Sequence, residues 1–133
     1  MKLHVVLLVV AFQLVSADER KFYAIKGRIF CNGAVIPKFV FKTVEHDTFK
    51  DDVREYYAYQ STIDLEAFDD DGFFNFDLEL ELIIPFKCGS CQGAIVRNIG
   101  TNYQFDSLAA AQSNVYRFGD IELSKLCRYF FSY

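Results

Sequence analysis

The segment Phe73 to Ile84, FFNFDLELELII, alternates apolar and polar side chains from Phe74 to Leu82. Phe74, Phe76, Leu78, Leu80, Leu82 and Ile84 fall on one face, and Asn75, Asp77, Glu79 and Glu81 on the other. Successive side chains of a strand point to opposite sides, so a period of two marks a half-buried antiparallel strand. A helix would mix Glu and Leu around its circumference. A chain containing this run must build a sheet with one wet and one dry face.

The rest of the sequence extends that expectation. In Tyr57 to Phe68, Tyr57, Tyr59, Ile63 and Leu65 alternate with Gln60, Thr62, Asp64 and Glu66. Asp69-Asp70-Asp71-Gly72 separates the two runs, and Asp-Gly is a strong hairpin signal. Residues 57–84 therefore read as a hairpin. Phe22 to Cys31 and Lys38 to Glu45 read as two more strands, joined through Asn32-Gly33 and Pro37. Ala94 to Ile99 and Tyr116 to Leu123 complete the set. Asp106 to Asn114 alone reads as helical, with Asp106 at the N-cap. The predicted fold class is all-β: an immunoglobulin-like antiparallel β-sandwich of about seven to eight strands with one short helix. Its core would be rich in Phe, of which the chain has 15, with no Trp.

The first residues carry an export pattern. Lys2 and His4 make a polar start, Val5 to Val15 an apolar run, and Val15 and Ala17 place small residues before a cut at Asp18. Asp18, Glu19, Arg20 and Lys21 end the run short of the about 20 apolar residues of a spanning helix. The expected organisation is a signal peptide at residues 1–17 and one extracellular domain at 18–133, a size that suits a single core. Eighteen acidic residues outnumber 14 Lys and Arg, and cleavage would remove Lys2 from the minority. Without a basic cluster, nucleic acid is excluded as a partner, because phosphate neutralisation needs Lys and Arg.

Four cysteines, Cys31, Cys88, Cys91 and Cys127, follow the leader, and an even count in an exported chain implies disulfides. Three pairings are open. The preferred one joins Cys31 to Cys127, tying the domain's ends together for roughly 4–5 kcal/mol in the chain-entropy model, and Cys88 to Cys91. Cys88-Gly89-Ser90-Cys91 has dithiol-oxidoreductase spacing, but such cysteines sit at a helix N-terminus. The following Gln92 to Val96 reads as a strand, so a structural disulfide is the better reading. Asp69, Asp70 and Asp71 with Glu66 lack the spacing of a calcium loop and read as a solvated turn. Asp47, Asp51 and Asp52 read as another exposed loop, with His46 an exposed strand-end residue. No metal, cofactor or catalytic residue is assigned. Tyr56, Tyr57 and Tyr59 read first as core, as do Tyr129, Phe130, Phe131 and Tyr133 of the tail. The tail aromatics are also candidate contact residues, able to pair with another subunit's edge strand in a homo-oligomer.

The order of several short motifs resembles the nematode transthyretin-like protein family. Gly27-Arg28 with Cys31-Asn32-Gly33 opens a strand in the same way, and Asp47-Thr48-Phe49 with Asp51-Asp52 is similar to its D-T-F…D-D segment. Asp71-Gly72 with Phe74 resembles its D-x-x-G-x-F strand entry. Tyr116 and Phe118 to Leu123 resemble its last strand, D-I-G-x-x-x-L, with Glu122 in place of the glycine. The cysteines fall in the family's order, and the likeness runs from about residue 24 to 127. The resemblance implies a secreted sandwich similar to transthyretin, with extracellular binding roles that include lipid headgroups. Related enzymes that hydrolyse 5-hydroxyisourate use several histidines, an arginine and a terminal Tyr-Arg-Gly-Ser. Here His46 is the one histidine after the leader, and the chain ends Arg128-Tyr129-Phe130-Phe131-Ser132-Tyr133. The functional expectation is a secreted, non-enzymatic protein binding an extracellular protein surface or lipid headgroup. The alternative is a carrier of a small apolar ligand; a thiol–disulfide enzyme is a weaker third.

Overall fold

The computed structural model describes residues 20–47, 50–70 and 79–127. The leader, the Asp71-Gly72 turn, the first half of the Phe73–Ile84 run and the aromatic tail lie outside the described residues. Within them the chain forms eight strands: β1 (Arg20–Cys31), β2 (Ala34–Val35), β3 (Lys38–His46), β4 (Asp52–Tyr59), β5 (Thr62–Asp70), β6 (Glu79–Cys88), β7 (Cys91–Ile99) and β8 (Tyr116–Glu122). Two short helices accompany them, α1 (Leu108–Ser113) and α2 (Leu123–Leu126). The all-β, sandwich-like expectation holds.

The strands hydrogen-bond in the order β2-β1-β5-β4-β3-β6-β7, and β8 runs parallel to β1 in an otherwise antiparallel sheet. Among the described residues β4 and β5 share one register pair, Tyr59 with Thr62. Beyond it the sheet curls into two leaves, β8-β1-β5 and β4-β3-β6-β7. Their inner faces supply Tyr23, Ile25 and Ile29 from β1, Ile63 from β5, Phe41 from β3, Leu80, Leu82 and Ile84 from β6, and Ile95 and Ile99 from β7. The described part of the opening run thus does what its periodicity requires: Leu80, Leu82 and Ile84 are fully buried.

Three expectations change. Residues 57–68 are two strands around the turn Gln60-Ser61, where both residues take positive φ (51° and 62°). The turn reverses the chain, so the inward face passes from Ala58 to Ile63 while Tyr57 and Tyr59 stay outside. Among the described residues β5 and β6 do not pair as the expected 57–84 hairpin requires, because β5 pairs with β1 and β6 with β3 and β7. Finally, the N-cap of α1 lies one residue later than expected. Ser107 caps it, its hydroxyl accepting from the Ala110 N–H at 3.2 Å, while Asp106 is drawn to the Lys21 ammonium at 2.7 Å.

Local chemistry fixes the β1–β8 pair. Phe118 is the extra residue of a bulge between Arg117 and Gly119, which pair with Lys26 and Gly27. Its ring lies where a Cβ on residue 27 would stand, so only glycine fits there. Just beyond, Arg28 grips Asp120 through two hydrogen bonds of 2.9 and 2.7 Å.

Candidate functional site

All four cysteines are oxidised, but the bonds are Cys31–Cys88 and Cys91–Cys127. The preferred pairing is corrected on both bridges. Cys88 and Cys91 flank the two-residue turn Gly89-Ser90 and form the last register pair of the β6–β7 hairpin. Both are buried on the inner face, where each meets a cysteine from another element: Cys31 at the end of β1 and Cys127 just after α2. The C-x-x-C spacing therefore reports a hairpin that receives two bridges.

At the end of the sandwich away from the cysteines, the space between the leaves is polar. Thr43 faces Arg54 and Glu45 faces Asp52 across β3 and β4, while Asp69 comes from β5. Glu45 and Asp69 are only 6% and 4% exposed. Carboxylate oxygens of Glu45, Asp52 and Asp69 lie within 4.8 Å of one another. The Arg54 guanidinium stands 3.5 Å from Asp69 and 3.7 Å from Asp52, anchored by a 2.8 Å hydrogen bond to the Phe68 carbonyl. Burial, then the charge and hydrogen bond of Asp69, push the Glu45 carboxyl up to about 8. Burial also raises Asp69, with Arg54 pulling the other way. The Tyr23 hydroxyl, fully buried, lies beside Thr43 and in the fields of Asp69 and Arg54. It makes no hydrogen bond of acceptable geometry. Asp69 is thus no part of a solvated turn, since β5 runs on through Asp70, which meets Arg20 at 3.5 Å.

His46 ends β3, as expected, but is not loose. Its Nε2 meets Glu81 at 2.6 Å and its Nδ1 meets Asp51 at 3.3 Å. The hydrogen bond to Glu81, followed by the Asp51 contact, raises its pKa above that of a free histidine. Clamped between two carboxylates, the ring has both nitrogens engaged.

The outer side of the β4-β3-β6-β7 leaf has a different character. Val53, Tyr57 and Tyr59 stand 54%, 57% and 58% exposed on β4. Val44, Val40 and Lys38 are their cross-strand partners on β3. The Lys38 ammonium rests over the Tyr57 ring, 4.4 Å from its centroid. The face continues through Lys42 to Ile83 and exposed Val96. Tyr56 points inward and stacks on Phe41 at 5.2 Å. The core reading therefore holds for Tyr56 and fails for Tyr57 and Tyr59, because neighbouring residues of a strand face opposite ways. Where β4 and β5 diverge, Phe41, Tyr56, Ala58, Tyr59 and Leu65 help line a cleft of about 300 Å³. Tyr129, Phe130, Phe131 and Tyr133 lie outside the described residues.

Sequence reasoning missed the acidic cluster because its members are dispersed along the chain. The one local signal was Glu45 within a strand, at a position that alternation from Phe41 and Thr43 assigns to the inner face. No helix among the described residues is long and apolar enough to cross a membrane. Compared with known proteins, the chain matches no protein-family model, no curated protein and no solved structure.

Proposed function

We propose that this is a secreted, non-enzymatic, transthyretin-like protein that binds an extracellular protein through the outer face of β3 and β4. The observation that carries the reading is the exposure of Tyr57, Tyr59 and Val53 together on one rigid sheet. Aromatic side chains held on a strand offer large contact area at low entropic cost, which is the usual make-up of binding hot spots. Lys38, spread over the Tyr57 ring, adds positive charge beside this apolar area. That combination suits an acidic rim on a protein partner better than a lipid headgroup array, which would also meet the chain's net negative charge. A chemical role is disfavoured by the occupation of the candidate groups: His46 is held by Glu81 and Asp51, and the cysteines are bonded. Two disulfides are typical of extracellular proteins and support secretion. The eight strands and two leaves fit the sandwich that the family resemblance implies.

The test is a pull-down from extracellular fluid with the domain as bait, repeated with Tyr57→Ala/Tyr59→Ala. The reading expects a protein retained by the parent and lost by the variant at unchanged Tm. Capture that ignores both tyrosines overturns it, as does binding to phosphatidylserine vesicles in place of any protein. A second reading, the apolar carrier, draws on the cleft where β4 and β5 part, whose size is at the lower end for ligand pockets. A small molecule retained in native mass spectrometry of protein from its own source would favour it.

A further inference from the structure

We infer that the end of the sandwich between the leaves is a binding site for a hard divalent cation of the calcium type, held by Glu45, Asp52 and Asp69 with the Tyr23 hydroxyl. The three carboxylates come from three different strands, β3, β4 and β5, and their oxygens converge to within 4.8 Å of one another. Two oxygens on opposite sides of one calcium ion stand roughly 4.6–5.2 Å apart, so the spacing of these three groups is compatible with one shared ion. Glu45 and Asp69 are buried and Asp52 is exposed, which gives a site with an inner wall and an open mouth.

Burying like charges together is costly unless a positive partner joins them. Arg54 is present, but its distances of 3.5 and 3.7 Å exceed the about 2.7–2.9 Å of a charge-assisted hydrogen bond. That one guanidinium is shared between Asp52 and Asp69. The independent observation is Tyr23. Its hydroxyl is fully buried beside Thr43, sits in the fields of Asp69 and Arg54, and makes no hydrogen bond of normal geometry. A buried hydroxyl that no protein group satisfies is explained by a ligand that uses its oxygen. The donor set is oxygen throughout, the preference of calcium and magnesium rather than of zinc or copper. Magnesium demands a near-ideal octahedron and gives up its waters reluctantly, whereas calcium accepts irregular carboxylate sets. The geometry therefore favours calcium.

The experiment is calorimetric titration of the full disulfide-bonded chain, stripped with EDTA, using calcium chloride alone and then magnesium chloride. The expected result is one calcium site with Kd of roughly 10⁻⁴–10⁻³ M, the range of extracellular calcium modules, and weaker magnesium binding. Glu45→Gln and Asp69→Asn should each weaken calcium binding by about tenfold or more, at least the loss seen when a metal site's supporting residues are replaced. Glu55→Gln, on the outer face, should leave it unchanged. Tyr23→Phe keeps every carboxylate and the ring's packing, and should weaken binding several-fold. It also serves as the deciding variant where a carboxamide variant fails to fold. No calcium binding up to about 10 mM overturns the inference. So does parental affinity in Tyr23→Phe or in a folded Glu45→Gln or Asp69→Asn, or magnesium binding as tight as calcium.

Discussion

Glu122 ties the turn between β1 and β2 to the start of α2 through one carboxylate. It accepts hydrogen bonds from the Asn32 N–H at 3.0 Å, the Gly33 N–H, and the Ser124 N–H and hydroxyl, both at 2.9 Å. Asn32 and Gly33 form a turn with positive φ at both residues, so their N–H groups point the same way and need an acceptor. The backbone N–H of Ser124, then that of Gly33, pull the Glu122 pKa down to about 2. A depressed carboxylate adds stability above its unfolded pKa near 4.5, and that contribution is lost as pH falls toward 2. Glu122→Gln should therefore lower Tm by several degrees at pH 7, with the gap to the parent closing between pH 4.5 and 2. Equal Tm values at pH 7 would show that these bonds contribute nothing. In the sequence, Glu122 was visible as a charged residue where the resembling pattern has glycine. Its task was not visible, because Asn32 and Gly33, the turn residues it holds, are 90 and 89 residues away along the chain.

At the scale of elements, strand identity was legible and strand partnership much less so. Alternation placed Leu80, Leu82 and Ile84 on the buried face of β6, since period two is a property of the strand itself. The turn at Gln60-Ser61 left no such trace. Left-handed backbone usually calls for Gly or Asn, and neither is present. Tertiary contacts hold it instead: the Ser61 hydroxyl accepts from the Ile36 N–H at 2.7 Å, and Gln60 and Ser61 donate their own N–H groups to Pro37 and Ile36. Ser61 is 1% exposed, so its hydroxyl has no water to fall back on. Ser61→Ala should destabilise the fold by about 1–3 kcal/mol by orphaning the Ile36 N–H, measurable by urea unfolding. A change under about 0.5 kcal/mol would place the turn's stability elsewhere. The acidic cluster was illegible for a related reason. Asp52 and Asp69 look ordinary in their own segments, Glu45 shows only as a charge on an inward strand position, and the curl of the sheet brings the three together.

For the molecule as a whole, the two leaves are joined, among the described residues, through one register pair, a shared core and the disulfides. Cys31–Cys88 links β1 to β6, which are not neighbours in the sheet, and spans 57 residues; Cys91–Cys127 spans 36. In the chain-entropy model each is worth about 4 kcal/mol. Cys31→Ala/Cys88→Ala should lower unfolding stability by about that amount, and a loss below about 1 kcal/mol would mean that the core alone holds the leaves together. The pairing has a further consequence in covalent topology. Because the second bridge begins after the first has closed, the chain is two rings in series, and Gly89-Ser90 is the neck between them. A protease that nicks either ring leaves one covalent molecule, with its pieces still tethered in register. A cut at the neck divides it into two separate loops, one holding β1 to β6 and the other β7 to α2.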